Sequence, residues 1–141
     1  MGTRLRQAGV KAEVVAVGIK TSDLRHSSRQ MTLDTPTNIT RELHGIAGRL
    51  FDELWDGKPI RHLGIHTGRL HGEEECRQMK LFEEFDYERQ ERMDAAVDSI
   101  RARYGIDAVK RAVFLESPID HLSGGISREK RSVDYQKLKI D

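Results

Sequence analysis

Apolar residues change their spacing several times along the chain, and each change marks an element. Val14-Val15-Ala16-Val17-Gly18-Ile19-Lys20 is short and β-branched, which predicts a strand. Thr21-Ser22-Asp23 follows with side chains suited to a turn. Ser27 to Leu33 alternates polar and apolar residues around Met31 and Leu33, so a second strand is expected to return antiparallel, with Arg25, His26, Arg29 and Gln30 about the bend. Pro36-Thr37-Asn38 is expected to stop that strand and to offer helix N-caps. Ile39, Leu43, Ile46, Ala47, Leu50, Phe51 and Leu54 then recur at three and four, one apolar helix face closed by Gly57 and Pro59. Gly45 and Gly48 lower helix propensity there, and close packing is the expected reason.

A third strand is predicted from Ile60 to Leu70, with Ile60, Leu63, Ile65 and Leu70 supplying apolar bulk. A second long helix runs from about Tyr87 to Tyr104, with Met93, Ala96, Val97, Ile100 and Tyr104 on one face, Asp86 as N-cap and Gly105 as stop. Asp107 to Lys110 reads as one helical turn before the apolar run Ala112-Val113-Phe114-Leu115. From Pro118 onward the chain is polar, and a weakly ordered tail is expected. At the other end, Arg4 to Val10 reads as the last turns of a helix ending at Gly9. The class is α+β: strand, strand, helix, strand is most of a split βαβ sheet packed on helices, with a helix appended.

Composition narrows the function classes. A chain of 141 residues with net charge +1 carries no global basic field. The charge is uneven, though: residues 1–30 hold six basic side chains against two acidic, whereas residues 71–91 hold eight acidic against three basic. A single cysteine, Cys76, excludes an internal disulfide and fits a reducing cytoplasm. No apolar run reaches the length of a membrane span, so a soluble cytoplasmic protein is expected. His62 and His66 stand four apart, a helical metal spacing, but on a segment that reads as strand. His71 and Cys76 lack two further ligands, and Gly124-Gly125 leads into no phosphate-binding loop. No metal or cofactor site is expected in this chain.

Three segments in order carry a resemblance: Val14 to Arg29, the strand Pro59 to Ile65, and Gln78-Met79-Lys80-Leu81-Phe82. Together they resemble the C-terminal little-finger region of Y-family translesion DNA polymerases, the UmuC/DinB-like group. Helix 39–55 looks like the second helix of that domain. Ala108-Val109-Lys110-Arg111-Ala112 and Gly124-Gly125-Ile126-Ser127-Arg128-Glu129-Lys130 look like the C-terminal extension of Gram-positive UmuC-like proteins. On this reading residues 1–72 are a partial little finger, lacking its first strand and most of its first helix. Residues 73–86 are a linker with a clamp-binding motif, 87–117 an appended helix and short apolar segment, and 118–141 a polar tail. The polymerase active site, with its two magnesium ions, belongs to a palm upstream that this chain lacks.

The resemblance also implies partners. A little finger grips primer-template duplex through phosphates, which positions a protein without reading bases. Arg61 and His62 fall on the backbone-contacting strand, and Lys20, Ser22, Arg25, Ser28, Arg29 and Gln30 on the neighbouring hairpin. The family often has a second basic residue where His62 stands. The pentapeptide looks like the motif that docks on the bacterial sliding clamp: Gln78 enters a polar pocket, Leu81 and Phe82 a greasy one, and Met79 replaces the common leucine. The alternative is a stand-alone clamp-binding interaction protein without DNA binding. A missing first strand, expected in the sheet interior, implies exposed strand edges and self-association. A monodisperse monomer with cooperative unfolding would count against that.

Overall fold

The computed structural model describes residues 1–72 and 84–114. Helix α1 spans Gly2–Gln7, strand β1 Val10–Thr21, strand β2 His26–Thr37, helix α2 Thr40–Leu54, strand β3 Ile60–Gly72 and helix α3 Glu84–Tyr104. A 3₁₀ turn at Ala112–Phe114 follows. The sheet order is β2-β1-β3, with β1 antiparallel to both neighbours. β2 and β3 therefore run parallel with β1 between them, and α2 crosses from one to the other. That is a split βαβ unit, as the pattern predicts.

The strands form where β-branched residues alternate, because one parity of side chains is then apolar. Val15, Val17 and Ile19 are almost fully buried. Val15 and Val17 share one face with Met31 and Leu33 of β2 and cluster with Leu43, Ile46, Ala47 and Leu50 of α2. Leu5 of α1 closes the same cluster. Burial of a side chain such as Leu50 is worth about 1.5–3 kcal/mol, so this cluster supplies the main cohesion. Gly9, at φ +62°, ends α1 in the left-handed conformation that favours glycine.

Several expectations need correction. The centre of the sheet belongs to β1, paired along both sides, so no interior strand position is open; the free edges are the outer ones of β2 and β3. Pro36 does not stop β2, which continues to Thr37. A register shift between Ala12 and Val14 absorbs the extra residues, and β2 is an edge strand where proline is tolerated. Gly45 and Gly48 face open space, so close packing is not their reason. Asp107 to Lys110 forms turns and bends rather than a helical turn. Leu63, Ile65 and Leu70 are 52%, 43% and 53% exposed, because α2 covers β1 and β2 but leaves β3 bare.

Helix α3 departs from its apolar pattern most clearly. Met93, Ile100 and Tyr104 are exposed. The face turned inward is Tyr87, Glu91, Asp94 and Asp98, whose spacing of four, three and four makes one polar stripe. Arg6 of α1 donates to Asp94 at 2.9 Å, to Asp98 at 2.6 Å and to the Asn38 carbonyl at 2.7 Å. Asp94 also accepts the Thr40 backbone N–H at 2.8 Å. The N-cap residue of α2, Ile39, has no side chain for that job, so a carboxylate from another helix does it. Lys11 bonds Glu91 at 3.2 Å and lies over the Tyr87 ring at 5.0 Å.

Asp94→Ala removes a cap and leaves the half-buried Arg6 short of a partner. The variant is expected to lose about 3 kcal/mol in urea unfolding, the scale for breaking a buried pair. Acid acts on the neighbouring carboxylate. Burial pushes the Asp98 pKa up, but bonds from Arg6 and Thr3 win and hold it below the ordinary 3.8. A depressed folded pKa gives stability that is complete above the unfolded value and lost as pH falls through the folded one. An Asp98→Asn variant should therefore flatten the acid limb of the stability curve below about pH 4, read by fluorescence of Trp55.

Candidate nucleic-acid interface

The sheet face opposite α1 and α2 is uncovered among the described residues. Its register lays out four rows across β2, β1 and β3: His26-Lys20-His62, Ser28-Gly18-Gly64, Gln30-Ala16-His66 and Thr32-Val14-Gly68. Rows of one parity are about 6.7 Å apart along a strand. None of these positions is acidic. The carboxylates of the sheet lie elsewhere, as with Glu13, which accepts from His71 at 2.6 Å and Arg69 at 3.1 Å. The His71 bond, then the Arg69 bond, holds the Glu13 carboxyl below its ordinary pKa.

Four of the residues expected to hold DNA come together here: Lys20, Ser28, Gln30 and His62. The others do not share this face. Arg29 pairs with Val17, so it points to the helix side, where it bonds Glu53 of α2. That pair is half exposed at both ends, worth about 0.5 kcal/mol, and separates easily. Ser22 and Arg25 stand at the hairpin tip, where Arg25 lies 3.3 Å from Asp23. Arg61 sits at the register shift opposite Lys20 and Thr21 and is exposed. Gln78, Met79, Leu81 and Phe82 lie outside the described residues. Sequence reasoning missed His66 as a member of this face and placed His26 only about the bend; both have the strand parity of Gln30 and His62, the one signal that would have grouped them.

The comparisons with known proteins bear on this sheet directly. Residues 1–81 match the model of the impB/mucB/samB family C-terminal domain. The chain belongs to that family. It is thus a C-terminal region of the Y-family polymerase type. It is similar to DNA polymerase IV of Clostridium acetobutylicum, 36% identical over 82% of this chain and 29% of that protein. DNA polymerase IV 2 of Bacillus subtilis is 35% identical over 79% of this chain and 27% of that protein. The putative UV-damage repair protein UvrX of Bacillus subtilis is 32% identical over 60% of the chain and 20% of its own length. The chain spans less than a third of the length of these relatives. Among the described residues no helix is long and apolar enough to cross a membrane.

The hairpin tip of this family member is strained. Leu24 has φ +66° while its N–H bonds the Thr21 carbonyl at 3.0 Å, and Thr21 N–H bonds the Arg25 carbonyl at 3.0 Å. A left-handed leucine costs on the order of 1–2 kcal/mol against glycine. Leu24→Gly should raise the urea midpoint by about 1 kcal/mol of stability at unchanged m-value.

Proposed function

We propose that this chain is the DNA-gripping and clamp-tethering part of a translesion polymerase, acting in DNA repair and damage tolerance. The observation that carries the reading is the open sheet face, four rows with Lys20 and three imidazoles and no carboxylate. A helix-free face of that kind meets a polyanion without a desolvated acid to repel it. Ser28 and Gln30 add neutral donors suited to phosphate oxygens, and Arg25 and Arg61 flank the face at the strand ends. Such contacts hold duplex regardless of sequence, as a polymerase crossing damaged bases requires.

Gln78, Met79, Leu81 and Phe82 would plug a groove on the bacterial sliding clamp, holding the polymerase at the replicating end. The acidic residues around them keep that segment off DNA. Nucleotide addition belongs to palm carboxylates and magnesium elsewhere in the longer polymerase. No group of three metal-ligating side chains stands together among the described residues. The bare edge of β3, with Leu63 and Ile65 exposed beside it, supports self-association or pairing with a further segment. The cytoplasm, where replication takes place in bacteria, is the compartment this role requires.

One paired experiment separates this reading from a clamp-only interaction protein. Binding of the full chain to sliding clamp and to primer-template duplex is compared with two variants. Gln78→Ala with Leu81→Ala and Phe82→Ala should abolish clamp binding and leave duplex affinity alone. Lys20→Glu with Arg25→Glu and Arg61→Glu should weaken duplex binding and reduce its salt slope by roughly 0.9 per lost contact. Clamp binding with no detectable duplex affinity at any salt would hand the function to the clamp-only reading.

A further inference from the structure

At the centre of the open face two glycines lie beneath histidine rings. Gly18 and Gly64 stand directly opposite each other on β1 and β3. Neither glycine has a positive φ, so conformation does not demand them. What occupies the space above Gly64 is a pair of imidazoles. A Cβ placed there would lie 3.3 Å from His66 Nε2 and 3.7 Å from His62 Nε2. The two ring nitrogens thus reach over one residue from either side and are no more than about 7 Å apart by that geometry. His26 does the same over Gly18, with Nε2 at 3.6 Å from the position of a Cβ. Lys20 lies between His26 and His62 in the outermost row.

We infer that His62 and His66, closing over Gly64, form a proton-gated clamp for a backbone phosphate of duplex DNA, with His26 over Gly18 as its continuation. The inference rests on the duplex-gripping reading of this face and adds its regulation. A phosphate accepting one bond of about 2.8 Å from each of two imidazolium N–H groups spans the gap between the two nitrogens. Glycine at 64 leaves room for the two rings, and glycine at 18 does the same for His26. A metal does not suit the same rings, because no third ligand stands with them among the described residues. A neutral imidazole offers one donor and no charge, whereas an imidazolium offers two donors and a full charge. Histidine changes between these forms from about pH 8 to pH 5, so the grip tightens as protons bind.

The other charged and titrating groups near this face are few. Lys20 is the cationic side chain within the four rows. The carboxylate next along β2 with the same parity is Asp34, beyond Thr32, the last of the paired rows, and Asp23 and Arg25 stand together at the hairpin tip. Arg61 lies beside His62 at the edge. The Met1 amino group, His44 and His71 sit away from the four rows.

The test is duplex affinity of the full chain by fluorescence anisotropy, at constant ionic strength, from about pH 8 to about pH 6. The native chain is expected to tighten at least about tenfold, with the salt slope steepening as protons bind. His62→Gln with His66→Gln should keep the affinity seen at the alkaline end and lose most of the gain. Gly64→Ala keeps both histidines but fills the space between their rings, and should lose the gain equally; circular dichroism verifies its fold. Millimolar inorganic phosphate should not reproduce the duplex's proton uptake if the seat is shaped for a backbone on a sheet. A gain that survives in both variants would place the protons outside the His62–His66 pair, on His26 or off the open face, and overturn the clamp. Duplex binding that is strong but flat with pH would also overturn it, leaving the duplex-gripping reading intact. No duplex binding at any pH would remove that reading itself.

Discussion

One guanidinium decides how the parts of this chain sit together. Arg6 leaves a six-residue helix too short to hold a position by its own packing, and reaches two carboxylates of α3 and the carbonyl just before α2. Asp94 then passes the link on to the first free N–H of α2. An isolated partly buried charge would be costly, and so would an uncapped helix start. Together they satisfy one another. The consequence reaches the sheet, because α2 presses Leu43, Ile46 and Leu50 on β1, and β1 sets the register of both neighbours. The register of the open face is therefore fixed from behind it.

That division of labour explains why charge is sorted so strictly. On the covered side, arginines and lysines meet carboxylates: Arg6 with Asp94 and Asp98, Lys11 with Glu91, Arg29 with Glu53. On the open side, Lys20 and the histidines meet none within their rows. A chain of net charge +1 can thus keep its four open rows free of carboxylates, with eight of its acids gathered in residues 71–91. The sum hides what the register reveals. Local potential, not net charge, is what a polyanion encounters.

How far the sequence showed this depends on which spacing each element obeys. The strands were legible from Val14 to Ile19, and α2 from Leu43 to Leu54, because buried residues repeat at the period of the element. The same rule misdirects at α3. Of its apolar set, Met93, Ala96, Ile100 and Tyr104 turn outward and Val97 is half-buried, since the partner surface offered by Arg6 and Lys11 is cationic. Arg29 was grouped with Gln30 as a DNA contact, yet adjacent strand residues face opposite ways, and only the pairing with Val17 says which way each faces. The family resemblance pointed to two strands and a hairpin; it could not supply their parity.

Parity also changes how His62 is understood. As a replacement for a second basic residue it looks like a weakened contact, one charge fewer on the strand. Beside Gly64 and His66 it is half of a convergent pair, and a lysine at either position would not reproduce it. An ammonium on a long flexible stem carries its charge at every physiological pH and reaches outward. An imidazole is short, planar and close to the backbone, so two of them over one glycine define a place rather than a field. Exchanging constant charge for conditional charge weakens a resting grip and makes it responsive. On the duplex-gripping reading proposed above, a weaker resting grip shortens idle occupancy, since phosphate contacts alone would bind any duplex.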